Sequence, residues 1–291
     1  MAASEAFGFE PLLATEDQLC QAVAYFAMGH TVSSVDSYVS AIANMFNNSA
    51  AGDLPRGPGY YQFVKGLKRL LGPADQVVRT RALLIDELEL ILAGLDQAVP
   101  EHVSFGAELL MAFLLALRTE DHTDGRLRWG DVYPQSDGSV EFLLPPGKSV
   151  RRFRRVAVAA KDGLLSVSLW LGLLRKALPE ASRSYNAPVF VCCKPSKDGS
   201  YKYLPRSRSK FVEMFKHAVR EVLGRDPHLY SGYSLRRGGV TEMLSCGVPV
   251  AIIKRHVGWA PGSNAHSTYY DHAGRLQMRI PTVAMGARRA L

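Results

Sequence analysis

No apolar run in the sequence reaches about eighteen residues, so no membrane-spanning helix is expected. The first ten residues, Met1 to Glu10, carry neither a basic segment nor a long apolar core and do not read as a secretory signal. Cysteine is scarce: Cys20, Cys192, Cys193 and Cys246 are the only four among 291 residues. Their spacing matches no metal-ligand pattern and the adjacent pair cannot easily bridge within itself, so no metal site or disulfide frame is expected and a reducing compartment is the simpler reading. Internal repeats, heptad runs and low-complexity tracts are also missing. Acidic residues are in deficit, 27 against 35 Lys and Arg, which leaves a net charge of +8 and a pI near 9.3. Such a balance favours a polyanionic partner, although charge alone does not separate DNA from RNA or a membrane surface. The expectation is a soluble intracellular protein, nuclear if eukaryotic and in the cytoplasm or nucleoid if bacterial or phage.

What is present describes a globular chain. Hydrophobic residues make up 47% and charged residues 21%, enough for a real core, and the length makes two domains the default. The basic excess is concentrated: residues 145–210 hold fifteen Lys or Arg and three Asp or Glu. One positive face that follows phosphates would account for that concentration.

The spacing predicts a small N-terminal bundle of three or four helices. Thr15 caps a helix through Met28, Ser33 or Ser34 caps another in which Val35, Tyr38, Ile42 and Met45 share a face, and Pro58-Gly59 and Gly72-Pro73 bracket a third. The domain division read from this is 1–74, a short polar linker at 75–81 without periodicity, and 82–291. In the second domain helices are expected over 83–95 and 103–117, the latter so uniformly apolar that it should be buried and hold Arg118 rigidly at its end. Apolar runs at 140–144 and 153–158 flank a Pro/Gly turn and read as a hairpin with Lys148 at its tip; 188–192 is a candidate third strand. Further helices are expected over 164–178 and 205–223. Gly247 closes a helix that starts near Arg236, and Pro249 opens the next. The fold class is mainly α with a small antiparallel β-sheet.

The chemistry is densest in Tyr233-Ser-Leu-Arg236-Arg237-Gly-Gly, Val257-Gly-Trp259 and Ser267-Thr-Tyr269-Tyr270-Asp-His272. A phosphodiester under attack gains charge on its non-bridging oxygens, which guanidinium groups meet. An indole N–H adds a hydrogen-bond donor, and a phenol supplies an oxygen nucleophile that forms a covalent phosphotyrosine and conserves the bond energy for religation. Such chemistry needs no cofactor, metal or nucleotide.

These motifs resemble the tyrosine recombinase, or phage integrase, family. Tyr233-Ser-Leu-Arg236 is similar to its His-x-x-Arg, Gly258-Trp259 to the tryptophan form of its Gly-His, and Leu114-Leu-Ala-Leu-Arg118-Thr-Glu-Asp121 to its upstream arginine with an acidic residue three further on. The resemblance covers about residues 80–272 and more loosely the N-terminal segment. It implies an N-terminal core-binding domain and a catalytic domain closing on DNA as a C-shaped clamp, with double-stranded DNA bearing specific recombination sites as partner and a homotetramer as the working form. It assigns Arg118 and Arg236 to the scissile phosphate, Lys148 to protonation of the leaving 5′ oxygen, Trp259 to a phosphate oxygen, and Asp121 to support of Arg118. Tyr270 is the expected nucleophile because Tyr270-Asp271-His272 matches the frequent Tyr-x-His; Tyr269 is its rival, and His272 has a supporting role. Lys65, Lys68, Arg69, Arg151, Arg152, Arg154, Arg155, Arg206 and Arg208 are expected DNA contacts, and 275–291 is a candidate tail for docking on a neighbouring subunit. One departure is Tyr233, which stands where the family has histidine. A phenol with a pKa near 10 is a poor base at neutral pH, so Tyr233 either serves as a hydrogen-bonding group or is replaced by His256 or His266. The expected activity is site-specific recombination through a 3′-phosphotyrosine; a type IB topoisomerase and a catalytically silent DNA-binding descendant are the alternatives. Leu-Arg-Arg-Gly-Gly also resembles recombinases of eukaryotic mobile elements of the DIRS and crypton kinds.

Overall fold

The computed structural model describes residues 8, 14–29, 32–47, 55–71, 80–146, 152–196, 200–267 and 269. The chain divides into two units, Met1–Val78 and Arg79–Leu291. No helix among the described residues is long and apolar enough to cross a membrane.

In the first unit, α1 (Glu16–Ala27) starts at a capping box: the Thr15 hydroxyl accepts the Gln18 N–H at 3.3 Å while the Gln18 side chain accepts the Thr15 N–H at 2.9 Å. Leu19, Val23 and Ala27 follow at four-residue steps and so share one face. They bury against Val35 and Val39 of α2 (Val32–Asn47) and Tyr60 of α3 (Pro58–Leu71). The Tyr60 N–H donates to the Glu16 carboxylate, tying α3 to the start of α1. Lys65, Lys68 and Arg69 lie on α3 and are exposed.

The second unit is built around α5 (Pro100–Leu114), which follows α4 (Ile85–Ala93). Proline opens α5 at its first turn, where the missing N–H has no helical partner in any case. Every residue from Val103 to Phe113 is buried, because a helix that is apolar all round must be covered all round. The cover comes from α7 (Val167–Ala177), α8 (Arg208–Leu223), α9 (Tyr233–Ser245) and a two-stranded sheet. Three contacts around α5 and α9 are close enough to demand glycine. A Cβ at Gly106 would overlap the Trp170 ring of α7, and Cβ atoms at Gly238 and Gly239 would overlap the carbonyl oxygens of Leu83 and Phe113. The Gly-Gly pair therefore lets α9 lie backbone against backbone on α5 and on the strand-like segment before α4.

Val132–Pro134 (β1), Val140–Leu144 (β2) and Arg154–Val158 (β3) form an antiparallel sheet in that order. Val140 faces Val158, Phe142 faces Val156 and Leu144 faces Arg154. Alternation puts Val140, Phe142, Leu144, Val156 and Val158 in the core, and Arg154 shares their face. Arg155 points the other way, 3.4 Å from Glu141 and 5.6 Å above the Tyr133 ring centre. The strand expected at 188–192 is not the third member of this sheet. It forms as Val191–Pro195 (β4) and pairs with Tyr201–Pro205 (β5) in a separate hairpin. The third place goes to β1, whose three residues include an edge proline and give no alternation to read.

Arg206, expected at the DNA surface, is fully buried and has to be reassigned. Its Nε donates to Glu108 at 2.7 Å, its Nη1 to Glu101, and its Nη2 to the Val191 carbonyl at 2.8 Å. Glu108 also receives His122 Nδ1 at 2.8 Å. A carboxylate in the middle of an apolar helix is tolerable only with such partners, and two carboxylates draw the guanidinium inward. Replacing Arg206 by Ala should therefore cost about 3–5 kcal/mol in urea unfolding, because it strands two carboxylates. An unchanged urea midpoint would show that the two carboxylates do not depend on Arg206.

Candidate active site

Four helix ends and one strand meet at the site. Helix α5 stops at Leu114, and Ala116 takes a left-handed φ of 46°, which turns the chain so that Arg118 starts the single-turn helix α6 (Thr119–His122). The Asp121 carboxylate accepts the Arg118 N–H at 3.0 Å and caps that turn. Asp121 thus fixes the backbone from which Arg118 projects.

Arg236 lies on the first turn of α9 and is 1% exposed. Its Nη1 donates to the Ala116 carbonyl at 2.7 Å and its Nη2 to the Val257 carbonyl at 3.4 Å. Its guanidinium carbon is 5.6 Å from the Trp259 ring centre. Val257 ends α10 (Val250–Val257), and Gly258, at φ 73°, reverses the chain so that Trp259 folds back over Arg236. Among the described residues no carboxylate is within ion-pair distance of Arg236. Burial lowers its pKa, and the neighbouring Arg118 charge adds to that.

Arg154 enters the same centre from β3, which its strand parity explains. It donates to the His256 carbonyl and lines a small cavity with Arg118, Asp121, Arg152 and Val257. Burial brings its pKa down to about 10; Asp121 opposes the shift, and Arg236 and Arg118 reinforce it. Sequence reasoning placed Arg154 with the general backbone contacts. The alternation Arg154, Val156, Val158 was the signal that it points inward.

Tyr269 is 2% exposed and joins its hydroxyl to that of Tyr233, which is 44% exposed. Its ring lies 5.5 Å from that of Trp259 at 37°. Burial first, then the hydrogen bond to Tyr233, push its pKa above the ordinary phenol value, while Arg236 pulls the other way. Tyr270, His272, Lys148, Arg151 and the 275–291 tail lie outside the described residues. His256 donates from Nε2 to the Leu114 carbonyl at 2.9 Å, and burial lowers its pKa, so it stays neutral and occupied. His266 is half-buried in the segment leading to Tyr269.

Outside the centre, a cavity of about 840 Å³ is lined by Arg152, Arg154, Arg155, Lys254, Arg255 and Trp259. Arg152 and Arg155 are exposed there, and Arg208 is exposed on the first turn of α8. Lys254 and Arg255 were missed in the sequence, since a basic last turn on a short helix is equally well explained by the helix dipole.

No family model matches the sequence, and no characterised protein matches it by sequence. Solved structures do match in shape. XerH site-specific recombinase, bound to palindromic difH in a post-cleavage complex, is 13% identical, with a TM-score of 0.61 over 93% of this chain and 72% of that one. The Tn1549 transposon integrase in complex with circular intermediate DNA is 11% identical, with a TM-score of 0.61 over 93% and 86%. A lambda integrase dimer bound to a COC′ core site is 16% identical, with a TM-score of 0.53 over 90% and 66%. The fold is that of the tyrosine recombinases. In this tyrosine-recombinase fold the centre gathers Arg118, Arg154, Tyr233, Arg236, Trp259 and Tyr269, with the Asp121 carboxylate beside them.

The charges of Arg118, Arg154 and Arg236 oppose one another. Arg154→Met keeps the side-chain volume and removes one of the three charges, so it should raise the urea midpoint of the DNA-free protein, or at least leave it unchanged. A clear drop in the midpoint would make Arg154 a structural residue and dissolve this description of the centre.

Proposed function

We propose that this chain is a tyrosine-type DNA strand transferase, a site-specific recombinase that cleaves and rejoins double-stranded DNA through a covalent 3′-phosphotyrosine. The observation that carries the reading is a buried Arg236, with Arg118 and Arg154 beside it, next to a buried phenol. The charges of Arg118 and Arg236 both bear on Arg154, with Asp121 acting against them, and a scissile phosphate is the anion whose transition state needs such charge most. The DNA-bound state of XerH, the Tn1549 integrase and lambda integrase supports the same partner.

Arg236 is positioned before substrate comes, since main-chain carbonyls fix it and no rearrangement is needed at the moment of reaction. The tyrosine oxygen attacks phosphorus as the bond to the 5′ oxygen breaks; the 5′ oxygen takes a proton, for which Lys148, between β2 and β3 in the sequence, is the proposed donor. The phenol loses its proton towards Tyr233, whose half-exposed hydroxyl passes it to solvent. Attack by a different 5′ hydroxyl reverses these steps and completes the exchange. Tyr269 is favoured as nucleophile by its contact with Tyr233 and the pull of Arg236, and Tyr270 by the Tyr-x-His match. Lys65, Lys68 and Arg69 of the first unit, with Arg152, Arg155 and Arg208, are the proposed backbone contacts, and a tetramer on two duplexes is the proposed assembly.

Covalent trapping on a nicked suicide duplex separates the two tyrosines. The adduct should vanish in Tyr269→Phe and persist in Tyr270→Phe; the reverse pattern would move the nucleophile by one residue. A wild type that binds DNA and forms no adduct would leave a silent DNA-binding protein. Relaxation of a supercoil without exchange in a two-site assay would leave a topoisomerase.

If proton acceptance by Tyr233 limits cleavage, Tyr233→His should raise the single-turnover rate about tenfold at neutral pH, since imidazole titrates near 6.5 and phenol near 10. An unchanged rate would show that residue 233 contributes only a hydrogen bond.

A further inference from the structure

A second cavity, about 640 Å³, opens on another part of the second unit between the Trp129 turn and the segment after α7. Trp129, Arg175, Glu180, Arg183 and Tyr185 line it. Its walls are built rather than accidental. The Trp129 N–H donates to the Ala187 carbonyl at 3.0 Å and the Gly130 N–H to the Tyr185 carbonyl at 2.8 Å, so the two segments are laced together. A Cβ at Gly130 would overlap the Tyr185 ring, which lies directly on that glycine.

The chemistry of the cavity is short of acceptors. Trp129 is only 7% exposed, and its indole N–H is buried without a partner; the Nε–H of Arg183 is in the same condition. Arg175 stands 5.4 Å above the indole ring centre. Among the described residues neither Arg175 nor Arg183 is in an ion pair, and Glu180 is the single carboxylate in the lining. One buried indole N–H and two guanidinium groups outside any ion pair ask for a ligand that is both anionic and rich in lone pairs, which describes an oxyanion. A metal cation would meet the same groups with repulsion.

Position decides which oxyanion. Tyr185 is 72% exposed and is shared with a neighbouring cavity of about 430 Å³ that Arg126, Arg128, Asp124, Asp131 and Phe153 also line. Phe153 is shared in turn with the basic groove beside Trp259. Arginines and two exposed aromatic rings thus link the active centre to Trp129, with Asp124 and Asp131 set among them. An alternation of guanidinium groups and flat rings suits a sugar-phosphate backbone better than an acidic peptide, which would have no use for the rings. We infer that the Trp129, Arg175 and Arg183 cavity holds a backbone phosphate of the DNA arm that leaves the active centre, and so extends the footprint past the duplex needed for cleavage. The inference rests on the strand-transfer reading above.

The test is a fluorescence-anisotropy titration of the full chain with a short and a longer random-sequence duplex across a salt series, comparing wild type with the Arg175→Gln/Arg183→Gln double variant. Arg175 is exposed and Arg183 half-buried, so the double variant should fold, which circular dichroism checks. On the longer duplex its affinity should fall about tenfold and its log–log salt slope should decrease by about one, the value for one lost phosphate contact. The short duplex should bind as tightly as it does to the wild type. Equal losses on both duplexes, or no loss on either, would overturn the inference. So would a glutamate-rich peptide that binds the wild type and not the double variant while DNA binding is unaltered, which would assign the cavity to an acidic protein partner. A wild type that binds neither duplex would remove the strand-transfer reading itself, a result distinct from the others.

Discussion

Much of the second unit follows from burying the Arg236 guanidinium without a carboxylate to neutralise it. Two carbonyl oxygens, of Ala116 and Val257, take that place. Each is available because a helix has just ended: α5 two residues before Ala116, and α10 at Val257 itself. The last carbonyls of a helix have no partner within it and carry the negative end of its dipole, so they stabilise a cation without being consumed by it. For both helix ends to face α9, the chain accepts a left-handed alanine at 116, at a cost of roughly 1–2 kcal/mol, and uses glycine at 258 where the same turn is free. The Gly238-Gly239 pair completes the arrangement by allowing α9 close enough to α5 for Arg236 to reach. A motif that reads in sequence as Arg-Arg-Gly-Gly is, in the fold, a cation and the gap that admits it.

What could be read in the sequence was what depends on local pattern. The all-apolar α5, the β2–β3 hairpin and the glycine and proline around α9 and α10 all carry their signals within a few residues. The mainly helical class with small antiparallel sheets followed from these. Features that depend on a distant partner gave no such signal. β1 exists because β2 offers it an edge, and β4 leaves the main sheet because β5 pairs with it. Arg206 sits in a basic stretch and looks like its neighbours; only Glu101 and Glu108, some hundred residues earlier, decide that it goes inside. Arg154 is a mixed case. Its strand was legible, and counting by twos from Val158 and Val156 puts it on the inner face, but that it would meet Arg118 and Arg236 depended on how the sheet docks against the helix ends.

A tyrosine at 233, where the resembling family has histidine, bears on the electrostatics of the centre more than on its shape. An imidazole would compete with the arginines as a further cation on protonation, whereas a phenol stays neutral in their field and can accept or donate a hydrogen bond. With Tyr269 against it, the centre in the absence of DNA contains two phenols bonded to each other. Burial and that bond both hold the proton on Tyr269. Were Tyr269 the nucleophile, its proton would need a route outward, and Tyr233, bonded to it and 44% exposed, offers one.

Arg206 and Arg236 make the functional argument by contrast. Both are buried completely enough to lose hydration, and both are held by main-chain carbonyls. Arg206 is also matched by two carboxylates, whose charge raises its pKa against the cost of burial. Nothing further is required at that position, and it braces the β4–β5 hairpin against α5. Arg236 has no carboxylate, faces two other guanidinium groups, and has its pKa lowered by burial and by the Arg118 charge. A fold that neutralises the buried Arg206 leaves the buried Arg236 without an ion pair among the described residues. That charge, placed at the junction of helix ends and beside a phenol, is what the proposal of a phosphodiester as ligand rests on.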